Sequence, residues 1–463
     1  MAKKQNTEET IDSLLEKISN EDLKGFLKEQ MDNNELLKQT FLTNFAHLNS
    51  GQPQKIYNKQ IKSVLNAAKD RGGFINWSAA RFVGSAVGNI VNTAYKQVQD
   101  GNVKSAAFIC FAVMEEMVKA LQFADDSGGD IGGNIDSAFS LLTDISKSNP
   151  PEDIRSFLFD ECLKHFRDNS FEGWNWHLGM LGTASTLVKN EGEADKVISL
   201  LDQFIVSDKK GYSLNEAQKI KYFTLRNGKD IKKAEDFLEE NLQNPMLRKI
   251  AIQDSIASEN FKRASQLSLE GIEIDAKSWP GRALEWYDWL LQISILQNDK
   301  PEIISHARHL FIHSFYNRQE YYEVLKKYVP KKEWNSFVEN LVSDIRGKGP
   351  GLDFDHIANV YITEKLWDRL FGLLAEAPAL SRVEHMEQYL AEKYSAQLAE
   401  LYEPLIIEFL KEARDRKDYR VGCRYLKRML KLGARERVNK LIEKIRETYP
   451  NRRALQDELR LVK

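Results

Sequence analysis

The residues best suited to chemistry lie in one stretch near the middle of the chain. His306, His309 and His313 recur at intervals of three and four, so their imidazoles share one face of a predicted helix. Imidazoles in that arrangement can bind zinc or nickel. No cysteine and no HExxH-type carboxylate completes the set, and the apolar residues of the stretch supply a buried face. We therefore expect the histidines at the solvated edge of the helix, without a metal.

The same stretch offers one enzymatic alternative. Arg308 and His313 enclose four residues, and the pattern resembles the signature of the all-helical HEPN ribonucleases. There the arginine stabilises charge and the histidine moves a proton at a phosphodiester. A regular helix places these two positions roughly 140° apart. A ribonuclease is therefore an alternative reading, and the sequence favours a protein that is not an enzyme.

An acidic, glycine-rich loop at 125–133 carries Asp125, Asp126 and Asp130, the oxygen ligands that calcium prefers. Counted from Asp125, the sixth position of a calcium loop is Asp130 instead of glycine, and the twelfth is Asp136 instead of glutamate. The loop is therefore predicted to be a structural turn in which aspartate and serine cap the next helix. We expect no metal and no other cofactor.

The C-terminal segment is strongly basic. Residues 411–463 contain 18 Lys or Arg against 8 Asp or Glu, a net charge of +10, so with −2 for the whole chain the first 410 residues carry −12. Such a surface suits a nucleic-acid backbone or an acidic protein; the alternative is a solvated face balanced by an acidic neighbour in the same fold. The candidate contact residues are Arg420, Arg424, Lys427, Arg428, Lys431, Arg435 and Arg437.

Aromatic residues supply a second candidate surface. Most tryptophans of the middle region are expected in the core, because large rings fill the gaps between stacked helices. Trp286, Tyr287 and Trp289 stand close together in the sequence and are candidates for a partner-binding groove.

Composition limits the class of protein. The chain has 463 residues, which is too long for one compact core. Of these residues, 42% are hydrophobic and 29% are charged. Its three cysteines, Cys110, Cys162 and Cys423, are far apart and set in apolar patterns, which indicates buried thiols in a reducing compartment. The longest apolar run, 106–114, has nine residues, whereas a membrane span needs about 20. We expect a cytoplasmic protein that does not enter a membrane.

The elements that carry these residues are predicted to be helices in repeated pairs. Polar turns at Gly192, Gly228, Asn260, Asp299, Lys332 and Lys365 are separated by 36, 32, 39, 33 and 33 residues. This period is typical of stacked helix pairs. The predicted fold is all-α, an α-solenoid of stacked helical hairpins like tetratricopeptide or HEAT proteins, with almost no strand. The predicted segments are 1–50, 51–150, 151–346 and 352–463, with a hinge at Gly347 to Gly351.

The stretch from Asp418 to Tyr449 shows the predicted repeat unit most clearly. Its apolar residues fall on one face of each of two helices. Gly433 separates the helices and is expected to adopt the left-handed conformation that ends the first. Because this hairpin is near the end of the solenoid, its positive charge is also what a polar terminal repeat would show.

Three motifs together resemble a known family. They are the loop from Ala124 to Gly132, the sequence Phe171-Glu172-Gly173-Trp174, and the hairpin from Asp418 to Leu459 with Asn451-Arg452-Arg453-Ala454-Leu455 near its end. In this order they resemble the long helical region of bacterial SWIM zinc-finger proteins, over most of Tyr57 to Val462. The resemblance implies an α-solenoid that usually accompanies a zinc finger contacting DNA or proteins. The finger needs Cys-x-Cys and Cys-x-His, but no two cysteines here are closer than 52 residues.

The sequence thus favours a non-enzymatic α-solenoid that scaffolds a bacterial cytoplasmic protein complex. Its predicted contacts are the Trp286 cluster and the basic C-terminal hairpin. A nucleic-acid-associated factor and a ribonuclease are the alternatives, and the oligomeric state is left open.

Overall fold

The fold is all-α, as predicted. The computed structural model describes residues 14–34, 37, 38, 41, 53–208, 213–346 and 353–462. Within these ranges the chain forms 22 helices, and the only extended pairing is an isolated bridge between Ile75 and Ala124. The predicted hinge at Gly347 to Gly351 lies outside the described residues. Of the described helices, none has both the length and the apolar character needed to cross a bilayer.

Contacts divide the chain into a first unit, Met1–Ser258, and a second unit, Glu259–Lys463. The helices of the first unit are α1 (Asn20–Asn33), α2 (Pro53–Ala68), α3 (Trp77–Gln99), α4 (Val103–Ala120), α5 (Asp130–Lys147), α6 (Glu152–Arg167), α7 (Asn175–Leu187), α8 (Glu191–Ser207), α9 (Leu214–Asn227), α10 (Ile231–Glu240) and α11 (Pro245–Ala257). The boundary between the units lies inside the predicted segment 151–346. One hydrophobic core also continues from Tyr57 to Ile220, across the predicted boundary at position 150.

The second unit has its own core, which runs from Leu291 to Leu459. Its helices are α12 (Phe261–Asp275), α13 (Pro280–Gln297), α14 (Lys300–His313), α15 (Arg318–Tyr328), α16 (Trp334–Arg346), α17 (Phe354–Thr363), α18 (Trp367–Glu376), α19 (Leu380–Glu412), α20 (Arg416–Lys431), α21 (Arg435–Thr448) and α22 (Arg453–Arg460). Helix α19 bends at Tyr394, whose backbone leaves the helical conformation.

Helices pack mainly against near neighbours in the sequence. In the first unit α5, α7, α9 and α11 form a row, and α6, α8 and α10 pair with α7, α9 and α11 as hairpins. In the second unit each helix from α12 to α22 packs mainly against the next helix in the sequence or the one after it. Each unit is therefore an α-solenoid of stacked helical hairpins, in which one hairpin buries the apolar face of the next.

The predicted period matches a repeated turn. The six predicted turn positions lie at the starts of α8, α10, α12, α14, α16 and α18, so every second helix begins there. Asn190, Asp230, Asn260 and Asp299 cap four of these helices by accepting a hydrogen bond from the backbone N–H three residues later. Four of the six periodic helices thus begin with the same kind of cap.

Small residues on α3 allow close helix packing, as the glycines at its centre suggest. A Cβ atom placed on Gly84 would lie 2.8 Å from the Cβ of Asp130 and 2.9 Å from its carbonyl oxygen. Helix α3 therefore packs against the start of α5 at a distance that only glycine permits at this position.

The C-terminal hairpin has the predicted form. Helices α20 and α21 bury the predicted faces, and Gly433 between them has a φ of 84°. The hairpin is not the last repeat element, because α22 follows it and packs on α20. Glu458 of α22 is buried there, so α22 covers part of the hairpin, while much of the outer face of α20 remains exposed and charged.

Candidate functional site

The three histidines of α14 form part of an aromatic stack. The ring of His309 lies 3.8 Å from the ring of Tyr287 on α13, and the ring of His313 lies 4.4 Å from that of His309. His306 instead places its Nε2 atom 3.1 Å from a carboxylate oxygen of Glu302. Burial lowers the pKa of His306 below its ordinary value, although Glu302 acts in the opposite direction. Among the described residues no three metal-binding side chains converge.

Arg308 and His313 do not meet. Arg308 donates its Nε hydrogen to Asp344 on α16 over 3.0 Å, and its guanidinium lies 5.5 Å from the ring of Phe337 on the same helix. His313 lies in the stack that includes Tyr287 of α13. The two side chains therefore face different neighbouring helices, and the ribonuclease pairing has no support in this geometry.

The acidic loop uses its carboxylates on its own backbone. Asp126 accepts hydrogen bonds from the backbone N–H groups of Ile131 (2.7 Å) and Gly132 (2.8 Å) at the start of α5. Asp125 accepts bonds from Ser127, which hold the pKa of Asp125 below its ordinary value. Asp130 lies in the first turn of α5 against Gly84. The loop is thus a helix-capping turn.

Trp286 is not part of a groove, contrary to the sequence prediction. Its side chain is 1% exposed, and its ring N–H donates to Asp275 on α12 over 2.7 Å. A Cβ atom on Gly271 would lie only 2.8 Å from the Trp286 ring. The indole therefore fills the space between α12 and α13, while Tyr287 and Trp289 are half-buried.

Four of the five arginines predicted as contacts in the basic hairpin are paired within the chain. Arg424 and Arg428 both contact Glu384 of α19, and Arg428 also contacts Glu387. Arg437 binds Glu400 and Glu403 of the same helix, each over 2.9 Å. Arg420 donates to Glu458 of α22 over 3.3 Å. Of the predicted contact residues, Lys427, Lys431 and Arg435 are exposed and form no ion pair with any described residue.

A groove that the sequence prediction missed lies in the first unit. We call it the α7 groove; its volume is about 1390 Å³. Three helices of one row each present a face to it. The lining residues on these faces are Phe139, Thr143 and Lys147 of α5, Asn175, Gly179, Gly182 and Thr186 of α7, and Ile220, Phe223 and Asn227 of α9. The ends of α6 and α8 supply further lining residues, among them Phe166, Gln203 and Phe204.

Small residues and side-chain hydrogen bonds let α5, α7 and α9 pack closely at the floor of the groove. A Cβ atom on Gly179 would lie 2.6 Å from the ring of Phe139. Thr186 donates to Ser146 of α5 over 2.7 Å, and Asn227 of α9 donates to the backbone oxygen of Ser185 over 2.8 Å. The signal in the sequence was the run of glycine, serine and threonine within α7, which is typical of close helix packing.

Trp174 forms the rim of the groove. Its ring is exposed and lies 5.3 Å from the ring of Trp176, whose N–H donates to Asp136 of α5 over 2.9 Å. Gly173, with a φ of 83°, makes the turn that places Trp174 before α7. Glu172, Gly173 and Trp174 all line the groove. The Phe171-to-Trp174 motif therefore lies at the edge of the α7 groove.

His177 is a buried neutral side chain beneath the groove. It is 8% exposed, its ring lies 4.2 Å from the ring of Phe166, and its Nδ1 atom has no hydrogen-bond partner among the described residues. Burial lowers the pKa of His177 below its ordinary value, and the charge of Glu172 opposes this only in part. The neutral form is therefore the one that the fold accommodates.

Acid should destabilise the protein partly through His177. Below about pH 6.5 the unfolded chain binds a proton at this residue that the folded chain resists, so stability falls as the pH falls. A His177→Phe variant keeps a ring against Phe166 and should lose less stability, by at most about 1.4 kcal/mol for each pH unit. Urea unfolding at neutral pH and at about pH 5.5 measures the difference. Equal losses in the variant and the wild type would contradict the assignment.

Fold and packing together define a helical-repeat protein, and its first unit carries an open groove. No family model matches the chain, and no curated protein matches it. Among solved structures, it is similar to one described as "Circular tandem repeat protein with novel repeat topology and enhanced subunit contact surfaces". That match has 11% sequence identity and a TM-score of 0.22, and it covers 88% of this chain and 95% of that chain. A TM-score this low carries no argument, so the class rests on the helices and their packing.

Proposed function

We propose that this protein is a non-enzymatic scaffold of a bacterial cytoplasmic complex, and that the α7 groove holds a segment of a partner protein. The observation that carries this proposal is the groove itself. Its volume of about 1390 Å³ exceeds the range of about 300–1,000 Å³ typical of small-molecule sites. A peptide segment is the occupant that suits this size.

The lining favours an uncharged segment with at least one large apolar side chain. Trp174 and Phe223 are exposed rings that offer anchoring contacts. Asn175 and Gln203 are exposed amides, which can both donate to and accept from a peptide backbone. The charges on the walls are mixed, and Glu216 is paired with Lys219 over 3.1 Å. A highly charged segment would therefore find no complementary surface here.

Two further features support the proposal. Cys110, Cys162 and Cys423 are free and buried, as in proteins of a reducing compartment. Burial raises the pKa of Cys423 to about 11, so its thiol is not a ready nucleophile. We also propose a relationship to the helical region of SWIM zinc-finger proteins, because the three motifs that resemble that family occur in the same order in this chain. No zinc-dependent role is part of this proposal.

Filling the groove should abolish partner binding. Gly182 lines the groove, and a Cβ atom added there would meet the Ile220 side chain at 3.5 Å, an ordinary contact, so Gly182→Leu places a large side chain at the floor of the groove. Removing a helical glycine should also stabilise α7 by about 0.5–1 kcal/mol. We expect the variant to recover at least about tenfold less partner, a loss of about 1.4 kcal/mol of binding. The measurement is affinity purification from the native cell with quantitative mass spectrometry, with and without nuclease.

Gly133→Leu is the matched control. Gly133 is exposed on α5, has no atom within 4 Å of an added Cβ and does not line the groove. This variant should recover the same partners as the wild type. Recovery of an undiminished partner set by Gly182→Leu, with its helical circular dichroism intact, would refute the groove as the binding site.

A further inference from the structure

One side of α20 is a continuous line of cations. Six residues at helical spacing share its exposed face, over roughly 22 Å at 1.5 Å per residue. We call them the α20 stripe: Arg416, Lys417, Arg420, Arg424, Lys427 and Lys431. The only acidic residue of α20 is Asp418, which is half-buried and accepts a hydrogen bond from the backbone of Arg414.

Two other helices of the same chain already place carboxylates at the edges of this stripe. On one edge, Glu384 and Glu387 of α19 lie three residues apart and meet Arg424 and Arg428, with contacts of 2.9–3.2 Å. On the other edge, the single carboxylate of Glu458 on α22 contacts Arg416 and Arg420. The contact with α19 shows how α20 binds a helix that presents two carboxylates.

The middle of the stripe keeps positive charge. Arg416 and Arg420 share the single carboxylate of Glu458, at 2.7 and 3.3 Å. Lys417, Lys427 and Lys431 are exposed and form no ion pair with any described residue. Lys427 and Lys431 are four residues apart, so their ammonium groups extend side by side from one face. Helices α19 and α22 therefore provide no paired carboxylate for these three lysines.

We propose that the α20 stripe binds an acidic helix of a partner protein, one with carboxylates three or four residues apart. This surface is separate from the α7 groove, and the proposal does not depend on the groove. Charge complementarity supports it, because the spacing of Glu384 and Glu387 on α19 is the spacing that the neighbouring arginines of α20 accept.

A nucleic acid fits this surface less well. Tyr419 and Tyr425 of α20 are buried, so the helix presents no ring on which bases could stack. Arg424 and Arg428 already direct their guanidinium groups to carboxylates of α19, so the cations that remain for any partner are mainly the lysines of the stripe. Helix α21, which packs beside α20, exposes Glu436, Glu443 and Glu447. Together with the exposed Lys440 and Lys444 they give α21 a surface of mixed sign, so an extended phosphate backbone would leave the positive surface there, whereas a short helix with one acidic face can contact α20 alone.

Fluorescence anisotropy with the full chain tests the proposal. The probe is a labelled alanine-rich helical peptide with pairs of glutamates three residues apart. It is compared with a peptide of the same composition in which the glutamates are spaced two and five apart. We expect the first peptide to bind more tightly, and Lys427→Glu/Lys431→Glu to weaken its binding by at least about tenfold.

The matched control is Lys440→Glu/Lys444→Glu. These lysines are also exposed and four residues apart, but they lie on α21 among glutamates. This control and Gly182→Leu should both bind the probe as the wild type does, so failure of the groove proposal would leave this test intact. The inference is overturned if the wild type does not bind the probe or the two peptides bind equally. It is also overturned if the α20 double variant binds normally, or if a DNA or RNA duplex of the same charge binds more tightly.

Discussion

A Trp286→Ala variant should lose about 3–5 kcal/mol of the stability of the second unit. The side chain is 1% exposed and is the largest fully buried residue of the chain's described core. Removing it opens a cavity between α12 and α13, where Gly271 leaves room for the ring. Asp275 also loses the indole N–H as a donor at 2.7 Å. Arg282 still binds that carboxylate through two hydrogen bonds, so most of the loss comes from the cavity.

Urea unfolding measures this loss, with hydrogen exchange to assign it to the second unit, because the two units need not unfold together. Trp279→Ala is the matched control. Trp279 is 61% exposed and its ring lies 5.3 Å from the Arg282 guanidinium, so its loss should cost about 1 kcal/mol or less. Similar losses for the two variants would show that Trp286 does not carry the packing assigned to it.

An Arg155→Met variant should lose about 3–5 kcal/mol of the stability of the first unit. The Arg155 side chain is 6% exposed and donates to Glu152, to Glu193 and to the backbone oxygen of Leu187. Burial alone raises the pKa of Glu193, but the hydrogen bond from Arg155 and one from the Lys189 backbone outweigh it, so the pKa is lowered. Without Arg155 the carboxylate of Glu193 stays largely buried and loses its charged partner.

A double variant separates the ion pair from packing. Adding Glu193→Gln to Arg155→Met removes the unpaired charge, and we expect it to restore at least about 1 kcal/mol in urea unfolding. The control is Lys189→Met, because Lys189 is 49% exposed and pairs with Glu152 at the surface; its loss should cost under about 1 kcal/mol. If the double variant is no more stable than Arg155→Met, the loss of stability comes from packing and not from the unpaired carboxylate of Glu193.

Local sequence patterns predicted the helices well. The spacing of Tyr419, Cys423, Leu426 and Met429 marks a face that α20 buries, and Gly433 ends the first helix of the hairpin in the left-handed conformation. Helix formation and capping depend on residues within about four positions, which the sequence contains directly.

Predictions about the surface were less successful. Trp286 was a candidate contact residue, but it faces α12 across the turn between two helices. The arginines of the basic hairpin were candidate ligands for a partner, yet Glu384 and Glu387 of α19, about 40 positions earlier, bind two of them. Helical periodicity groups residues on a face, but it does not show which neighbour that face meets.

The sequence by itself determined the all-α class, the period of the hairpins, the left-handed turn at Gly433 and the burial of the three cysteines. These follow from apolar spacing and turn chemistry, which act over a few residues. Only the tertiary structure decided which cations of α20 are neutralised and that α5, α7 and α9 enclose a groove. It also decided which neighbouring helices Arg308 and His313 contact. These features depend on contacts such as Arg308 with Asp344 and Arg428 with Glu384, whose residues are 36 and 44 positions apart, and such contacts are set by how whole helices stack.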